Sequence, residues 1–180
     1  MSKRPAIFLD RDGVITEEYG YICQIERVKL FPYVKDCVDF IHKKGYYVFV
    51  ITNQSGIARG IFTEQELLNL NERIRKKTGV DAIYYCPHHV QGKVKKYIVN
   101  CKCRKPGTDL IQQACREYKV DLGRSYLAGD RATDIKTGKN AGIKTILLNS
   151  GYGIEKLEES VEPDFIFQNL KEFVFHSGIL

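Results

Sequence analysis

The sequence has no long run of apolar residues. None of its stretches approaches the ~20 apolar residues that a membrane-spanning helix requires. The basic residues at the start are not followed by the apolar core and small-residue cleavage site of a secretory signal. We therefore expect a cytoplasmic protein with no membrane partner, in a compartment where thiols stay reduced. Its six cysteines are then more typical of metal ligands, catalytic groups or core residues than of disulfides.

Internal repeats and low-complexity segments are also missing from the sequence. A length of 180 residues, at ~150 residues per domain, indicates a single domain over residues 1–180. The net charge of +6 suits either a nucleic acid or a small anionic substrate. The bases are densest between Lys93 and Lys105, which is a local cluster rather than a basic tail. Composition alone leaves both kinds of partner open.

Short apolar runs alternate with helical patterns along the chain. We predict strands at Ala6–Leu9, Tyr47–Ile51, Ala82–Tyr85, Ser125–Ala128, Thr145–Leu148 and Asp164–Phe167. Helical patterns lie between them: from Val34 to Ile41, after a capping box at Thr63, from Ile111 to Tyr118, from Asp134 to Ala141, and after Asn169. Apolar runs of this length are typical of strands buried on both faces. The alternation predicts an α/β fold with a doubly wound, Rossmann-like parallel sheet.

Polar side chains follow three of the predicted strands, and ligands bind at the carboxyl ends of strands in such sheets. Asp10 and Asp12 follow the first strand, where two neighbouring carboxylates need a proton or a counter-cation such as Mg²⁺. Thr52 begins a run of hydroxyl and amide side chains that suits an anion such as phosphate. Asp130 follows the fourth strand, within reach of a metal held by Asp10. Asp134 is expected to be a helix N-cap.

Each of these motifs alone also fits an ordinary turn or polar loop. Lys105, beside Arg104 and fixed by Pro106, is expected to bind phosphate. Together the motifs supply a carboxylate nucleophile, a second carboxylate, and groups that stabilise charge on a phosphate. The combination predicts phosphoryl transfer through an aspartyl phosphate.

These motifs resemble, in order, the four motifs of the haloacid dehalogenase superfamily of phosphatases. They are Leu9–Gly13, Thr52, Lys105, and Gly129 with Asp130 ahead of Asp134. The resemblance implies that Asp10 is the nucleophile, and that Asp12 protonates the leaving alkoxide and then deprotonates the attacking water. It implies that Asp10, Asp130 and the backbone carbonyl of Asp12 hold Mg²⁺. Thr52 and Lys105 would stabilise the transferring phosphoryl group.

Cysteines and a histidine form a second set of metal-ligand type. The set is Cys86, His88, Cys101 and Cys103, a C-x-H and C-x-C pattern with twelve residues between the pairs. Four such ligands suit tetrahedral Zn²⁺ and leave no open position, so we predict a structural zinc site in loop 86–103. His89 is the alternative nitrogen ligand, and His88 is favoured because its spacing mirrors that of the second pair. The remaining cysteines are expected to be ordinary core or surface residues: Cys23, Cys37 and Cys115.

Longer stretches resemble one branch of the superfamily, the heptose 1,7-bisphosphate 7-phosphatases, over most of the chain. These are Gly20–Ile22, Thr52–Gly60, Tyr84–His89 and Cys101–Pro106. The resemblance implies removal of the C7 phosphate of D-glycero-D-manno-heptose 1,7-bisphosphate, giving heptose 1-phosphate for ADP- or GDP-heptose or lipopolysaccharide precursors. The implied substrate contacts are Glu18, Tyr19, Gly20, Tyr21, Asn53, Gln54, Ser55, Arg104 and Arg131.

Two other functions stay open from the residues. Histidinol-phosphate phosphatases are close relatives of this branch and share its zinc set. A zinc-stabilised nucleic-acid-binding module would use the positive charge, although Asp10, Asp12 and Asp130 would repel a phosphodiester without a metal. We expect a small sugar bisphosphate as substrate, no nucleic acid, no large cap domain and a monomer. The residues do not set the anomer at C1.

Overall fold

Six parallel strands form the central sheet of the structure, a computed structural model that describes residues 3–18, 20–21, 27–154 and 161–180. The strands are β1 (Ala6–Leu9), β2 (Tyr47–Asn53), β3 (Ala82–Cys86), β4 (Tyr126–Gly129), β5 (Lys144–Leu148) and β6 (Phe165–Phe167). Their order is β3-β2-β1-β4-β5-β6, and each neighbouring pair is parallel. The expected doubly wound, Rossmann-like sheet is confirmed.

Helices cover both faces of this sheet. In the described part of the chain they are α1 (Val34–Lys43), α2 (Glu64–Thr78), α3 (Asp109–Glu117), α4 (Ala132–Asn140) and α5 (Leu170–His176). The predicted capping box opens α2, since Thr63 accepts the Glu66 N–H and the Glu66 carboxylate accepts the Thr63 N–H. Gly79 ends α2 with a φ of +81°, a left-handed conformation that glycine adopts without steric cost.

Successive side chains of β1 pack on opposite faces of the sheet. Ile7 and Leu9 join the core beneath α1, α2 and α5, whereas Ala6 and Phe8 pack towards α3. All four side chains are fully buried. Because both faces are covered, the central strands consist of continuous apolar residues, as the sequence indicates.

The strand order reverses between β1 and β4. Leu9 pairs with Val50 of β2 on one side and with Ala128 of β4 on the other. The next residue, Asp10, donates its N–H to the Ala128 carbonyl at 3.0 Å. Sheets of this kind bind ligands in the crevice at this reversal. The ends of β1, β2 and β4 therefore form the expected place for a site.

The start of α4 differs from the sequence prediction. The helix begins at Ala132, two residues before the predicted start, and Arg131 occupies the N-cap position. The prediction of Asp134 as N-cap is therefore wrong. Asp134 is the third helical residue, and its carboxylate accepts the Arg131 N–H at 3.1 Å. The predicted strands agree with the observed ones to within two residues at each end.

Across the described ranges, no helix is long and apolar enough to cross a membrane. Over the same residues, the connections between strands contain only the helices above and two short 3₁₀ turns at Lys95–Tyr97 and Leu122–Arg124. A large cap domain is therefore absent from that part of the chain.

Candidate active site

Asp10 lies at the carboxyl end of β1 and is almost fully buried. Its Oδ1 accepts the backbone N–H of Arg11 at 2.7 Å and lies 2.8 Å from Lys105 Nζ. Burial raises the pKa of Asp10 to about 6, with further contributions from the charges of Asp134 and Asp12 and an opposing one from Lys105. Asp10 also lines a cleft, so a ligand there can reach its carboxylate.

Asp12 has a carboxylate that accepts four hydrogen bonds. Arg11 donates from Nε to Oδ1 at 2.9 Å and from Nη2 to Oδ2 at 3.1 Å. Thr16 donates to Oδ1 at 3.1 Å, and Gln54 Nε2 donates to Oδ2 at 2.8 Å. Burial disfavours the charged form, but Arg11 and the hydrogen bonds outweigh it and lower the pKa of Asp12. Its orientation at the cleft is therefore fixed by neighbouring side chains.

Lys105 is the buried cation of the site. Its Nζ lies 2.8 Å from Asp10 Oδ1 and 2.6 Å from Asp134 Oδ1, and it donates to the Ile51 carbonyl at 3.0 Å. Burial alone would lower the pKa of Lys105, but the charges of Asp10 and Asp134 outweigh it and raise that pKa. Lys105 therefore stays charged beside the Asp10 carboxylate.

Asn53 and Gln54, at the end of β2, form hydrogen bonds with neighbouring residues of the site. Asn53 Oδ1 accepts the Lys105 N–H at 3.0 Å, and Asn53 Nδ2 donates to the Lys105 carbonyl at 3.2 Å. Gln54 Nε2 donates to Thr52 Oγ1 at 2.9 Å as well as to Asp12. Thr52 is 1% exposed, so its hydroxyl is fixed by the protein. The end of β2 thus connects the loop of Asp12 to that of Lys105.

Asp130 ends β4 and is fully buried. Its Oδ2 accepts the N–H of Tyr152 at 2.8 Å, whereas its Oδ1 has no hydrogen-bond partner among the described residues. Burial, followed by the charges of Asp10 and Asp134, raises the pKa of Asp130 to about 8. A Cβ atom on Gly13 or Gly151 would overlap the Asp130 carboxylate, so both positions require glycine for this close approach.

Three buried carboxylates meet where β1 and β4 end. One oxygen from each of Asp10, Asp130 and Asp134 lies within 4.8 Å of the others. The three carboxylates repel one another, and one buried oxygen of Asp130 has no hydrogen-bond partner among the described residues. A hard divalent cation, which prefers oxygen ligands, would reduce the repulsion and bind that oxygen. The residues present therefore fit such an ion. The Asp12 carboxylate is not in this cluster.

The predicted catalytic and substrate-binding side chains face one cleft of about 420 Å³. The predicted catalytic residues on its wall are Asp10, Asp12, Thr52 and Lys105. The predicted substrate contacts on its wall are Glu18, Gly20, Tyr21, Asn53, Gln54, Ser55, Arg104 and Arg131. Tyr19, the remaining predicted contact, lies outside the described residues.

Arg131 and Glu18 contact each other across the mouth of the cleft. Arg131 Nη2 lies 2.8 Å from Glu18 Oε2, while the other Glu18 oxygen accepts the Gly20 N–H at 2.7 Å. The Arg131 guanidinium also stacks over the Tyr152 ring, 3.9 Å from its centroid. This pairing fixes the Arg131 side chain at the rim while Arg104 lines another part of the cleft.

The cysteine and histidine set forms a compact cluster next to the cleft. Potential ligand atoms of Cys86, His88, Cys101 and Cys103 all lie within 4.8 Å of one another. The Cys103 sulfur is 3.2 Å from each of the Cys86 and Cys101 sulfurs and 3.3 Å from His88 Nδ1. Such an arrangement of thiols and an imidazole could hold a tetrahedral metal ion.

His89 points away from this cluster. Its Nδ1 accepts the Gln91 N–H at 3.1 Å, and its Nε2 lies 3.4 Å from Arg59 Nη2. Burial and the nearby charges of Arg104 and Arg59 lower the pKa of His89. The geometry therefore places His88 rather than His89 among the sulfurs.

The other cysteines lie apart from this cluster. Cys37 is buried on α1, Cys115 is half-buried on α3, and Cys23 falls outside the described residues. Neither of the two described ones belongs to a group of three or more potential metal ligands.

Sequence reasoning missed three residues of the site. Tyr152 lines the cleft, and its backbone N–H donates a hydrogen bond to Asp130. Asp134 belongs to the carboxylate cluster and forms an ion pair with Lys105. Arg11 donates hydrogen bonds to the Asp12 carboxylate. Asp134 carries the only strong local signal of the three, a second acid four residues after Asp130. Tyr152 follows β5, so its place depends on which strand adjoins β4 and not on its own neighbours in sequence.

The chain is similar to known phosphatases over most of its length. A family model described as HAD-hydrolase-like matches residues 102–173. The D-glycero-beta-D-manno-heptose-1,7-bisphosphate 7-phosphatase of Haemophilus influenzae is 38% identical over 171 residues, 92% of each chain. The protein of the same name from Rhodopseudomonas palustris is 41% identical over 146 residues, which cover 78% of this chain and 81% of its own.

Structure comparison agrees with sequence comparison. The crystal structure of the D,D-heptose 1,7-bisphosphate phosphatase from B. bronchiseptica, complexed with magnesium and phosphate, superimposes with a TM-score of 0.79 and 26% identity. The match covers 94% of this chain and 96% of that one. The chain therefore belongs to the D-glycero-β-D-manno-heptose 1,7-bisphosphate 7-phosphatase family of haloacid dehalogenase-like hydrolases.

Proposed function

We propose that this protein is a Mg²⁺-dependent phosphatase that removes the C7 phosphate of D-glycero-β-D-manno-heptose 1,7-bisphosphate. The observation that carries the proposal is the convergence of Asp10, Asp12, Thr52 and Lys105 on one cleft, beside a cluster of buried carboxylates. The β anomer is proposed because the relatives at 38% and 41% identity carry that name. The product would be heptose 1-phosphate, a precursor for nucleotide-activated heptose or lipopolysaccharide.

Asp10 acts as the nucleophile in this proposal. Its carboxylate attacks phosphorus, the bond to the sugar O7 breaks, and an aspartyl phosphate forms. Lys105, 2.8 Å from Asp10, keeps that carboxylate in place and balances charge on the phosphoryl oxygens. Thr52 is buried at the end of β2 and lines the same cleft, where its hydroxyl donates to a phosphoryl oxygen.

Asp12 moves the proton in both steps. It first takes up a proton from solvent, gives that proton to O7 as the sugar leaves, and then takes a proton from the water that attacks the aspartyl phosphate. One of its four hydrogen bonds must open for this transfer, because together they fill the acceptor positions of the carboxylate. Gln54 lines the cleft, so its contact with Asp12 is the one that bound substrate can replace.

A divalent cation belongs at the carboxylate cluster. Asp10, Asp130 and the backbone carbonyl of Asp12 would hold Mg²⁺, and the unpaired Asp130 oxygen supports this assignment. When bound, the ion lowers the repulsion between the Asp10 carboxylate and the substrate phosphate. Asp134 stays outside the ligand set in this proposal, because its Oδ1 lies 2.6 Å from Lys105 Nζ and its Oδ2 accepts the Arg131 N–H.

A second metal, Zn²⁺, is proposed as a structural ion held by Cys86, His88, Cys101 and Cys103. Four protein ligands leave no position for water or substrate, so the ion would fix the loop without taking part in the reaction. Arg104 and Lys105 directly follow Cys103. Fixing Cys101 and Cys103 would therefore also fix the two bases nearest the phosphates.

Substrate recognition requires a second anion site for the C1 phosphate. Arg104 lines the cleft, and its guanidinium matches phosphate geometry with two parallel hydrogen bonds. Arg131 and Glu18, at the rim, would bind sugar hydroxyls, with Gly20 and Tyr21 beside them. We also propose that residues 1–180 form one phosphatase domain that works as a cytoplasmic monomer.

Phosphate release from a panel of substrates tests this proposal. The panel is the β and α anomers of heptose 1,7-bisphosphate, histidinol phosphate and fructose 1,6-bisphosphate, each with Mg²⁺. The β heptose bisphosphate is expected to have the highest kcat/KM. An equal or higher value for histidinol phosphate would contradict the proposed substrate, and a preference for the α anomer would change the stereochemical assignment.

A further inference from the structure

Arg11 stands between the two carboxylates of the first motif and is only 2% exposed. A buried guanidinium strongly destabilises a fold unless its donors are paired. The reaction steps above give this side chain no role. The hydrogen-bond partners of Arg11 should therefore explain why an arginine is buried at the edge of the cleft.

The Arg11 guanidinium joins the Asp12 carboxylate to helix α2. Nε and Nη2 donate to the two Asp12 oxygens at 2.9 and 3.1 Å, and Nη1 donates to Asn71 Oδ1 at 3.1 Å. Of the three side chains that donate to Asp12, Arg11 alone reaches both oxygens. A bidentate contact of this kind fixes the plane of the carboxylate as well as its distance.

Asn71 is an unusual residue for its position on α2. It is 5% exposed and shares the buried side of the helix with Leu67, Leu70 and Ile74. Its Nδ2 has no hydrogen-bond partner among the described residues, and a buried unpaired donor lowers the stability of the fold. Its Oδ1 contact with Arg11 is the interaction that an apolar residue at this position could not supply.

We propose that Arg11 and Asn71 are positioning residues that hold Asp12 in the orientation needed for proton transfer. The inference rests on the proposed function, in which Asp12 protonates the leaving oxygen. Asn71 anchors the guanidinium to a helix packed on the sheet, and the guanidinium anchors Asp12. The contact from Gln54 can then open for substrate without letting the carboxylate turn away.

A purely structural tie between the first loop and α2 would show the same contacts. The two roles differ in their dependence on the leaving group. A sugar alkoxide is a poor leaving group and needs the proton from Asp12, whereas p-nitrophenolate leaves without one. Misplacement of Asp12 therefore slows the sugar substrate selectively, while general damage to the site slows both substrates.

The test compares kcat/KM for heptose 1,7-bisphosphate and for p-nitrophenyl phosphate. This parameter reports the steps up to departure of the leaving group, so the later hydrolysis does not mask the effect. Asn71→Ala is expected to lower the value about 10-fold for the sugar, and Arg11→Lys about 100-fold, because lysine cannot replace the bidentate fork. Both variants should stay within about 2-fold of the parent on p-nitrophenyl phosphate.

Asn69→Ala is the matched control, since Asn69 lies on the same helix with an exposed side chain. It should leave both values unchanged. Asp12→Asn reports separately on the proposed function: a selective loss on the sugar substrate supports the role of Asp12. If that variant is selective but Asn71→Ala and Arg11→Lys slow both substrates equally, or neither, positioning by Arg11 is overturned and the proposed function stands.

An unselective Asp12→Asn variant would overturn both claims. Arg11→Lys places an unmatched cation in a buried site and can fail to fold. Asn71→Ala removes no charge and deletes the unpaired Nδ2, so it decides the question in that case. Circular dichroism and thermal unfolding of each variant identify those that are folded.

Discussion

The carboxylate cluster and the cysteine–histidine cluster lie near the same cleft but are built in different ways. Asp10 and Asp130 directly follow β1 and β4, so the sheet itself positions them. In the second cluster only Cys86 belongs to a strand, and the other three ligands lie on the long connection between β3 and α3. The sheet positions the residues of the first cluster. In the second cluster, a bound metal ion would instead fix the conformation of a long loop.

The two clusters are also expected to have opposite effects on the stability of the folded protein. Burial and mutual repulsion raise the pKa of Asp10 to about 6 and that of Asp130 to about 8, so ionising either carboxyl group costs more free energy in the folded protein than in water. The buried carboxylates therefore destabilise the fold when they are ionised and no cation is bound. Bound zinc in the other cluster would add stability instead. The comparison predicts that damage to the first cluster removes activity, whereas damage to the second removes order.

Asp10→Asn should give the largest effect on activity. If Asp10 is the nucleophile, as proposed, kcat is expected to fall by at least about 10⁴-fold in the phosphate-release assay. The fold should survive, because the change removes one of three repelling buried charges and leaves Lys105 its contact with Asp134. Thermal unfolding should therefore occur at the same temperature or higher.

The matched control is Asp39→Asn, which removes an exposed carboxylate on α1 that pairs with Lys35. Its activity should equal that of the parent. An Asp10→Asn variant that is inactive because it is unfolded would contradict the proposed division of roles between the clusters.

Loss of a zinc ligand should have the next largest effect. Cys103→Ser is expected to abolish zinc binding, to expose loop 86–103 to proteolysis, and to lower kcat/KM about 100-fold, because Arg104 and Lys105 follow Cys103 directly. Zinc content, limited proteolysis and turnover measure the three effects. Cys115→Ser changes a thiol outside the cluster and should alter none of them. Parent protein that contains no zinc would refute the proposed site.

Stability should depend on pH through the carboxylate cluster. The pKa of Asp130 is about 8 when folded against an ordinary value of 3.8, so the folded state binds the extra proton between these limits. Stability is then greatest below about pH 4 for this group and falls, by on the order of a few kcal/mol, as pH rises towards 8. Mg²⁺ should remove most of this fall by pairing the charge.

Thermal unfolding between pH 5 and pH 8, at fixed zinc and with or without Mg²⁺, measures this effect. Asp130→Asn is the control, because it removes one titrating group and should make the curve obtained without Mg²⁺ shallower, leaving the smaller part that Asp10 contributes. A parent protein whose stability rises over the same pH interval in the absence of Mg²⁺ would contradict the assignment.

The sequence allowed the sheet to be predicted because its strands are buried on both faces. Such strands are continuous apolar runs, and the predicted Ala6–Leu9 matches β1 in full. The start of α4 could not be predicted, because aspartate is a favoured N-cap and Asp134 stands where a cap would fit. Its carboxylate instead pairs with Lys105, 29 residues earlier in the sequence. The place of Asp134 in α4 therefore reflects a tertiary ion pair and not a local capping preference.

The same limit applies to the site. Asp10 and Asp130 could be singled out, since both follow apolar runs and ligands bind at the carboxyl ends of the strands in such sheets. Arg11 could not, because an arginine between two aspartates in a loop normally lies in solvent. Its burial depends on Asn71, which is 60 residues away in sequence. Contacts that join distant segments leave no local pattern for sequence reasoning to detect.

The smallest expected effect concerns Asn53, which joins the two clusters. Its side chain holds the Lys105 backbone at both its N–H and its carbonyl, so it ties the loop that follows Cys103 to the end of β2. Asn53→Ala is expected to lower kcat/KM about 10-fold and stability by about 1 kcal/mol. Asn140→Ala is the control, because its side chain donates to the Pro106 carbonyl on the outer side of the same loop. It should have little effect on turnover.

A double-mutant cycle then tests whether Asn53 couples the clusters. Once Cys103→Ser has loosened the loop, Asn53 has no fixed Lys105 backbone to hold, so Asn53→Ala should cause almost no further loss. Losses in kcat/KM that multiply independently would mean that the zinc loop and the end of β2 act separately on the substrate. In that case the cysteine–histidine cluster would support only Arg104, and the position of Lys105 would depend on its ion pairs with Asp10 and Asp134.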